Sequence, residues 1–124
     1  MPMEISSKEL SKTDIENRLS METRSLKHLP PFPAGQNFQD LYIEDEEEKV
    51  WRFRLIIRRG PYQKPVLSAG WRRFVKKKKL QKDFQVKFFK ERDEVTGEFK
   101  YKIKLKKPVF LFKTLLGYEP VRVG

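Results

Sequence analysis

The 124-residue sequence contains no cysteine and only one histidine, His28. Without cysteine, neither a disulfide framework nor a thiolate metal site can form, and this composition fits a reducing intracellular compartment. His28 has no evident carboxylate partner, and the acidic run at 44–48 lacks the spaced oxygen ligands and the glycine of a calcium loop. We therefore expect no metal and no cofactor, and we interpret the acidic run as a turn.

Long apolar stretches are also missing. The longest apolar runs, at 109–112 and 55–57, are far shorter than the stretch of about 20 residues that a membrane helix needs. The N-terminus has no apolar segment of signal-peptide type, so a soluble protein without a membrane partner is expected. Neither a glycine-rich phosphate loop nor a nucleophile elbow occurs, and we expect no enzymatic activity.

Positive charge is abundant but unevenly distributed. The net charge is +11, yet residues 1–48 hold five Lys or Arg against eleven Asp or Glu, whereas the remainder holds twenty-three against six. Such an imbalance is typical of a protein with one surface for a polyanion, and an acidic membrane surface would be attracted as well. At this length the chain has room for one hydrophobic core.

The first third of the chain indicates short, interrupted elements. Residues 1–7 are polar and are expected to form a flexible N-terminus. The next segment, 8–21, predicts an extended piece, a bend capped by Thr13 or Asp14, and a second apolar piece. Residues 23–29 predict one or two helical turns, which the prolines of "PPFP" must end.

From Phe38 onward the hydrophobic period changes to two. Residues 38–45 and 50–59 predict one hairpin, and 84–91 with 98–107 predict another, whose outer face carries lysines. Between them we expect a short strand at 66–67 and a helix capped by Ser68. Its apolar stripe contains Trp71, Phe74 and Val75. This pattern indicates a small, mostly β barrel. The tail, 108–124, predicts either a strand that closes the barrel or an extension that binds a protein partner.

Two motifs carry a family resemblance: "VWRFR" at 50–54 and "GWRRFV" at 70–75. Together with "LSKTDIENRL" at 10–19, they make the chain similar to the plant-specific B3 DNA-binding domain, which we assign to residues 8–107. The resemblance implies a seven-stranded open β-barrel with two short helices, the second of which plugs the barrel. It also implies two arms that enter the major groove of DNA, formed here by residues 12–23 and 57–65.

The sequence departs from the family pattern at two places. Asp83 and Phe84 stand where the family usually has Gly-Asp, and Met21 and Glu22 stand where it often has Ile-Pro. Aspartate tolerates left-handed backbone geometry better than most residues, so we expect Asp83 to adopt it. Glu22 would repel a duplex unless its side chain points away.

The implied arms carry side chains that can recognise bases. Arginine pairs with two acceptors of guanine, and Asn or Gln pairs with adenine in the same bidentate manner. Within the second arm, Gly60 would let the backbone approach closely, and Pro61 and Pro65 would limit the freedom of the loop before binding. The candidate DNA-binding residues are Lys12, Asn17, Arg18, Arg24, Arg58, Arg59, Tyr62, Gln63 and Lys64. Without the family resemblance, they would be interpreted as ordinary exposed loop residues.

Two lysine-rich segments have competing interpretations. Residues 76–79 could form a nuclear localisation signal, a set of phosphate contacts or a solvated helix face. The alternating lysines at 100–106 are better explained as the outer side of a strand that resists edge pairing.

Together with the basic charge, the resemblance implies sequence-specific binding of double-stranded DNA by a nuclear plant transcription regulator. Three alternatives stay open: a binder of RNA or single strands, a nuclease, and a divergent B3-fold module that binds proteins through its tail. No carboxylate cluster with an adjacent lysine supports the nuclease.

Overall fold

The computed structural model describes residues 2–58, 60–61 and 64–121. Eight strands, two α-helices and one 3₁₀ helix follow one another along the described chain. In order they are β1 (Met3–Glu9), α1 (Lys12–Glu16), β2 (Leu19–Ser20), the 3₁₀ helix (Thr23–His28), β3 (Phe38–Glu44), β4 (Val50–Ile57), β5 (Pro65–Leu67), α2 (Trp71–Lys78), β6 (Gln85–Arg92), β7 (Phe99–Leu111) and β8 (Thr114–Pro120).

Seven strands form one curled sheet in the order β1-β6-β7-β3-β4-β5-β2, and β8 pairs with β7 outside this path. All neighbours are antiparallel except β3 and β7, which run parallel through Ile43 opposite Tyr101. Since β1 and β2 lie at the two ends of the path, the barrel is open. The predicted seven-stranded open β-barrel with two short helices is confirmed, and β8 is an additional strand.

Helix α2 fills the barrel with aromatic side chains. Trp71 and Phe74 have no exposed surface, and Phe74 contacts Trp51 and Phe53 edge to face at centroid distances of 5.0 and 5.4 Å. Such pairs contribute about 0.5–1.5 kcal/mol each beyond the burial of their area. The expected plug is confirmed, and it gives the sheet a rigid interior.

The N-cap residue of α2 is Gly70, which corrects the expectation of a Ser68 cap. Gly70 has a φ of 91°, in the left-handed region, and a Cβ at this position would lie 2.2 Å from the backbone oxygen of Arg52. The helix therefore starts where the chain passes directly against strand β4, and only glycine fits there.

The N-terminal expectations need two further corrections. Residues 3–7 belong to β1, which pairs with β6, so the predicted flexible N-terminus is wrong for them. Helix α1 is capped by Ser11, not by Thr13 or Asp14: the Ser11 hydroxyl accepts from the Asp14 amide, and the Asp14 carboxylate accepts from the Ser11 amide. This is a complete capping box.

Strand β7 is also not a sheet edge. It pairs with β6 over its whole first half, with β3 beside Tyr101, and with β8 from Lys106 onward. The alternating lysines at 100–106 therefore do not protect an edge. Strand β8 does not close the barrel either, because among the described residues it pairs only with β7.

Asp83 adopts the left-handed geometry expected of it. Its φ is 74°, and its amide donates to the backbone oxygen of Leu10 at 2.8 Å. The aspartate thus replaces glycine at this turn without loss of the backbone connection between β1 and β6.

Candidate nucleic-acid interface

The first arm, residues 12–23, is held at its base by one buried carboxylate. Asp14 is 2% exposed, and its Oδ1 accepts from Lys8 Nζ at 2.9 Å. Lys8 also donates to the backbone oxygen and the hydroxyl of Ser20, so it joins the two ends of the arm. The indole of Trp71 donates to the backbone oxygen of Asp14 at 2.6 Å. The arm is therefore fastened to both β1 and the helical plug.

The second arm, residues 57–65, connects β4 to β5. At its start, Ile57 exchanges hydrogen bonds with Asn37: the Ile57 amide donates to the Asn37 oxygen, and the Asn37 side chain donates to the Ile57 oxygen. Arg58 and Lys64 are exposed, and the backbone of Gly60 has a φ of 126° with open space around it. The base of the loop is fixed, whereas the Arg58 and Lys64 side chains are exposed to solvent.

The bases of the two arms are bonded to each other. Strand β5 pairs with β4 on one side and with β2 on the other, and the Met21 amide donates to the Pro65 oxygen at 2.8 Å. The end of the first arm therefore lies against the end of the second. Because both arms leave the same three-stranded part of the sheet, their separation is set by backbone hydrogen bonds.

A cleft of about 470 Å³ lies between the arms. Four of the predicted DNA-binding residues line it together with small polar side chains and one aliphatic residue. The cleft is lined by Ser11, Thr13, Asp14, Asn17, Arg18, Ser20, Arg58, Lys64 and Val66. Since Lys8 neutralises Asp14, the cleft carries the net positive charge of Arg18, Arg58 and Lys64.

Four polar side chains of the cleft make no hydrogen bond within the described part of the chain. Asn17, Arg18, Arg58 and Lys64 are all exposed, and none of the four side chains hydrogen-bonds to another part of the described chain. An arginine donates five N–H groups in a planar fork, and asparagine both donates and accepts. The arrangement can therefore bind a planar polar edge or a phosphate without first breaking a hydrogen bond to the residues that the structure describes.

Other predicted site residues lie elsewhere. Lys12 faces Glu16 on helix α1 at 4.0 Å, and Arg24 pairs with Glu22. Neither basic residue lines the cleft, although the Arg24 contact neutralises the charge that would make Glu22 repulsive. Arg59, Tyr62 and Gln63 lie outside the described residues.

The hydroxyl groups of Ser11, Thr13 and Ser20 complete the cleft, and the sequence pattern did not indicate them. It also missed Lys8, which sets the shape of the first arm. No spacing rule would have identified Lys8, because its partners are 6 and 12 residues away and meet it only after β1 and β2 have joined the sheet.

A second basic groove lies beside the first arm. It has a volume of about 910 Å³ between α1 and α2, and its charged lining comes mainly from Arg72, Arg73, Lys76 and Lys79. Ile15, Val75 and Leu80 form its apolar floor. All three interpretations of residues 76–79 require exposed lysines, and Lys76, Lys77 and Lys79 are exposed.

Lys78 does not belong to this exposed surface. It is 7% exposed, and its Nζ contacts Asp45 Oδ2 at 2.8 Å and Glu47 Oε1 at 2.9 Å. Asp45 also accepts from the Trp51 indole at 2.9 Å. The acidic run therefore forms the predicted turn, but one of its carboxylates is buried in a salt bridge beneath α2.

The hydrogen bonds at this salt bridge outweigh the effect of burial. Burial alone would raise the pKa of Asp45, but donation from Lys78, Trp51 and the backbone amides of Lys49 and Glu47 lowers it below its ordinary value. Burial would likewise lower the pKa of Lys78, whereas its hydrogen bonds to the two carboxylates raise it. Both groups are charged at neutral pH.

Within the described ranges, no group of three or more potential metal ligands comes together. No helix in this described part of the chain is long and apolar enough to cross a membrane.

Comparisons with known proteins agree with the fold and identify a family. The sequence model described as "B3 DNA binding domain" matches residues 8–108. A stretch of 74 residues is 35% identical to the B3 domain-containing transcription factor NGA4 of Arabidopsis thaliana. This stretch covers 60% of the chain and 22% of that protein, so the chain spans about a fifth of the length of this curated relative.

Two solved structures of Arabidopsis proteins share the fold. The FUS3-DNA complex superposes with a TM-score of 0.63 at 15% identity, covering 82% of this chain and 96% of that one. The LEC2-DNA complex superposes with a TM-score of 0.66 at 16% identity, covering 83% and 94%. At these identities the superpositions show a common fold and nothing further.

Proposed function

Because this chain belongs to the B3 DNA-binding domain family, we propose that it binds double-stranded DNA in a sequence-specific manner through the cleft between its two arms. The observation that carries the proposal is that Asn17 and Arg18 from one arm line the same cleft as Arg58 and Lys64 from the other. Two sequence segments that are about 40 residues apart thus contribute to one positively charged concave surface.

The side chains at the cleft match the chemistry of base edges. The major groove presents paired acceptors on guanine and an adjacent donor and acceptor on adenine. Arg18 and Arg58 carry the fork for guanine, and Asn17 has the amide for adenine. Lys64 carries a flexible point charge that suits a phosphate. Arg59, Tyr62 and Gln63 belong to the same arm by sequence and add a fork, a stacking ring and an amide to this set.

Rigid arm bases favour binding. An interface loses affinity when it must order its own loops, and a pre-organised one avoids that cost. Here the first arm is fastened through Asp14 to Lys8 and Trp71, and the second through Ile57 to Asn37. The Met21–Pro65 hydrogen bond then holds the two arms together.

The exposed lysines and arginines of α2 provide attraction that does not depend on sequence. The second groove adjoins helix α1 of the first arm and presents Arg72, Arg73, Lys76 and Lys79. Each phosphate that such residues neutralise releases counterions, so affinity falls with salt by a log–log slope of about −0.9 per phosphate. We place this activity in a nuclear plant transcription regulator, as the name of the curated relative suggests.

A two-stage binding experiment tests the proposal. Selection from randomised duplexes first yields the preferred site, and fluorescence anisotropy then compares the wild type with Arg58→Ala on that site and on a scrambled duplex. Loss of a bidentate contact should weaken binding to the preferred site by about 1–3 kcal/mol and reduce the preference over the scrambled duplex. Arg92→Ala is the matched control, since Arg92 is an exposed arginine at the end of β6, outside the cleft.

The outcomes separate base recognition from general attraction. If Arg58→Ala and Arg92→Ala weaken binding equally on both duplexes, the cleft does not recognise bases. A selection that enriches no motif would have the same meaning. If a single strand of the same sequence competes better than the duplex at equal salt, the protein is instead a single-strand binder.

A further inference from the structure

Helix α1 contributes different residues to two cavities. Thr13, Asp14 and Asn17 line the cleft between the arms. Ile15 and Glu16, which lie between them in sequence, line the second basic groove together with residues of α2. Among the described residues, the two cavities share no lining residue. The groove is therefore a separate surface, and its apolar floor takes no part in the proposed recognition of bases.

The floor of this groove can accept apolar side chains. Ile15 is partly buried and packs against the core, and Val75 and Leu80, which are 6% and 5% exposed, line the groove as well. Long basic side chains add apolar surface, because their aliphatic stems lie along the protein while their charged ends stay in water. At about 910 Å³ the groove has nearly twice the volume of the cleft between the arms, which is about 470 Å³.

The rim of the groove is cationic, and its charges follow the helical period. Arg72, Lys76 and Lys79 stand at i, i+4 and i+7 along α2 and its C-terminal cap, so they lie on one side of the helix. Arg73 lines the same groove. All four are exposed, and none forms a salt bridge with a carboxylate of the described chain. The one acid in the lining is Glu16, which is already beside a lysine of its own helix.

The combination of floor and rim determines which kind of ligand fits. A duplex backbone offers phosphates to the rim, but it has no large apolar side chain for the floor, and a phosphate placed there would lose its hydration. A neutral apolar ligand would fill the floor but leave the positive charges without partners. An amphipathic helix with an acidic polar face satisfies both, because its apolar face enters the groove while its carboxylates meet the cations of α2.

We propose that the second basic groove binds an acidic amphipathic helix of a partner protein. In this complex Leu or Phe side chains of the partner contact Ile15, and its Asp or Glu side chains pair with Arg72, Lys76 and Lys79. The cations recur at helical spacing, so carboxylates at the same spacing on a helix lying alongside α2 can meet them in turn. The partner helix does not occupy the cleft between the arms.

Two peptides of equal charge test the role of the floor. The probe is a fluorescein-labelled peptide of about 14 residues with Leu and Phe on one helical face and Asp and Glu on the other. The matched peptide replaces each Leu and Phe by Ala, which keeps the charge and the helix propensity. Fluorescence anisotropy with the full chain, without DNA and at about 150 mM salt, should give at least about tenfold tighter binding of the first peptide, since only that peptide fills the floor.

Two charge reversals on α2 test the role of the rim. Lys76→Glu turns an attraction into a repulsion and should weaken binding of the first peptide about tenfold. Lys77→Glu is the matched control, because it makes the same change at an exposed lysine of the same helix that is not part of the groove lining. At this salt concentration it should weaken binding by about twofold or less. Thermal melts establish that both variants are folded.

Methyl NMR of the complex locates the apolar contact. Nuclear Overhauser effects should connect the Phe ring of the first peptide with the methyl groups of Ile15. A complex without such contacts would overturn the proposal, as would failure of both peptides to bind or equal effects of Lys76→Glu and Lys77→Glu. Equal affinity of the two peptides would show that the groove attracts any polyanion, which is all that DNA attraction requires, and would also refute it. Since DNA is absent throughout, a failure of the proposed DNA recognition would leave these results unchanged.

Discussion

Replacing Lys78 should destabilise the protein without weakening its binding to DNA, although Lys78 lies within a run of four lysines. Lys78→Ala removes the salt-bridge partner of Asp45, a residue that is only 6% exposed. Breaking a buried ion pair by removing one partner costs about 3–5 kcal/mol, because the other charge is left buried.

The remaining contacts of Asp45 place the cost at the lower end of that range. After the substitution, Asp45 still accepts from the Trp51 indole at 2.9 Å and from the amides of Glu47 and Lys49 at 2.8 and 3.0 Å. Glu47 is exposed and loses little. We therefore expect a loss of about 3 kcal/mol in the free energy of unfolding, or a fall of about 10 °C in Tm for a domain of this size.

The assay is urea unfolding followed by tryptophan fluorescence, since Trp51 is the indole bonded to Asp45. Lys77→Ala is the matched control: it removes an identical side chain from the exposed face of the same helix and should change stability by no more than about 0.5 kcal/mol. Lys78→Met should lose nearly as much as Lys78→Ala, because it keeps most of the aliphatic stem but not the charge.

The effects on DNA binding should be the reverse of the effects on stability: Lys78 should matter little and an exposed lysine of the same run should matter more. Folded Lys78→Ala should bind duplex DNA within about twofold of the wild type, whereas Lys76→Ala, which lines the second basic groove, should weaken binding to all sequences alike. If Lys78→Ala and Lys77→Ala were equally stable, the salt bridge would not contribute as described. If Lys78→Ala lost affinity like Lys76→Ala, the division of the lysine run between core and surface would be wrong.

Three other predictions concern stability. Gly70→Ala should destabilise the fold by about 3 kcal/mol or more, because left-handed backbone strain adds to the overlap of the new Cβ with the Arg52 oxygen. Gly35 has a φ of 76° and nothing within 4 Å of a Cβ at this position, so Gly35→Ala should cost only about 1 kcal/mol. Equal losses of stability in thermal melts of the two variants would contradict this difference. Because folding lowers the pKa of Asp45 below its ordinary value of 3.8, the contribution of Asp45 to the free energy of unfolding should be present above about pH 4 and be lost as the pH falls through the folded-state pKa. The free energies of unfolding of the wild type and Asp45→Asn, measured in urea, should therefore converge in acid. A constant difference between them down to about pH 2 would refute the assignment. Lys113→Gly should stabilise the hairpin formed by β7 and β8 by about 1 kcal/mol, since Lys113 has a φ of 91° in the turn between them. Slower hydrogen exchange of the β8 amides would report this gain, whereas unchanged exchange would count against a strained turn.

Local patterns were sufficient to predict most of the elements. Alternation of polar and apolar residues identified the β3–β4 and β6–β7 hairpins, and the stripe of Trp71, Phe74 and Val75 identified the buried face of α2. These patterns work because each strand or helix buries one face against the same core. The N-terminal strand was missed since its residues, mostly polar, are extended only because β6 offers an edge to pair with.

The candidate site was only partly predictable for the same reason. Residue chemistry indicated Asn17, Arg18, Arg58 and Lys64, but the contact between the arms depends on β5 pairing with both β2 and β4. A strand of three residues carries too little pattern to specify two neighbours. Likewise, the Lys8–Asp14 contact that fixes the first arm follows from tertiary structure, not from sequence separation.

Lys78 shows how a helical period can decide between interpretations of a charge run. Its position is seven residues after Trp71, on the stripe that also contains Phe74 and Val75, so the helix turns this lysine toward the core and its neighbours toward solvent. A lysine so placed requires a buried acid, and the acidic run between β3 and β4 supplies Asp45. The acidic residues in the N-terminal third of the chain therefore do more than reduce its net positive charge. One of its carboxylates fixes the helix that presents that surface, so the same turn that lowers the net charge also positions the cations proposed to meet DNA.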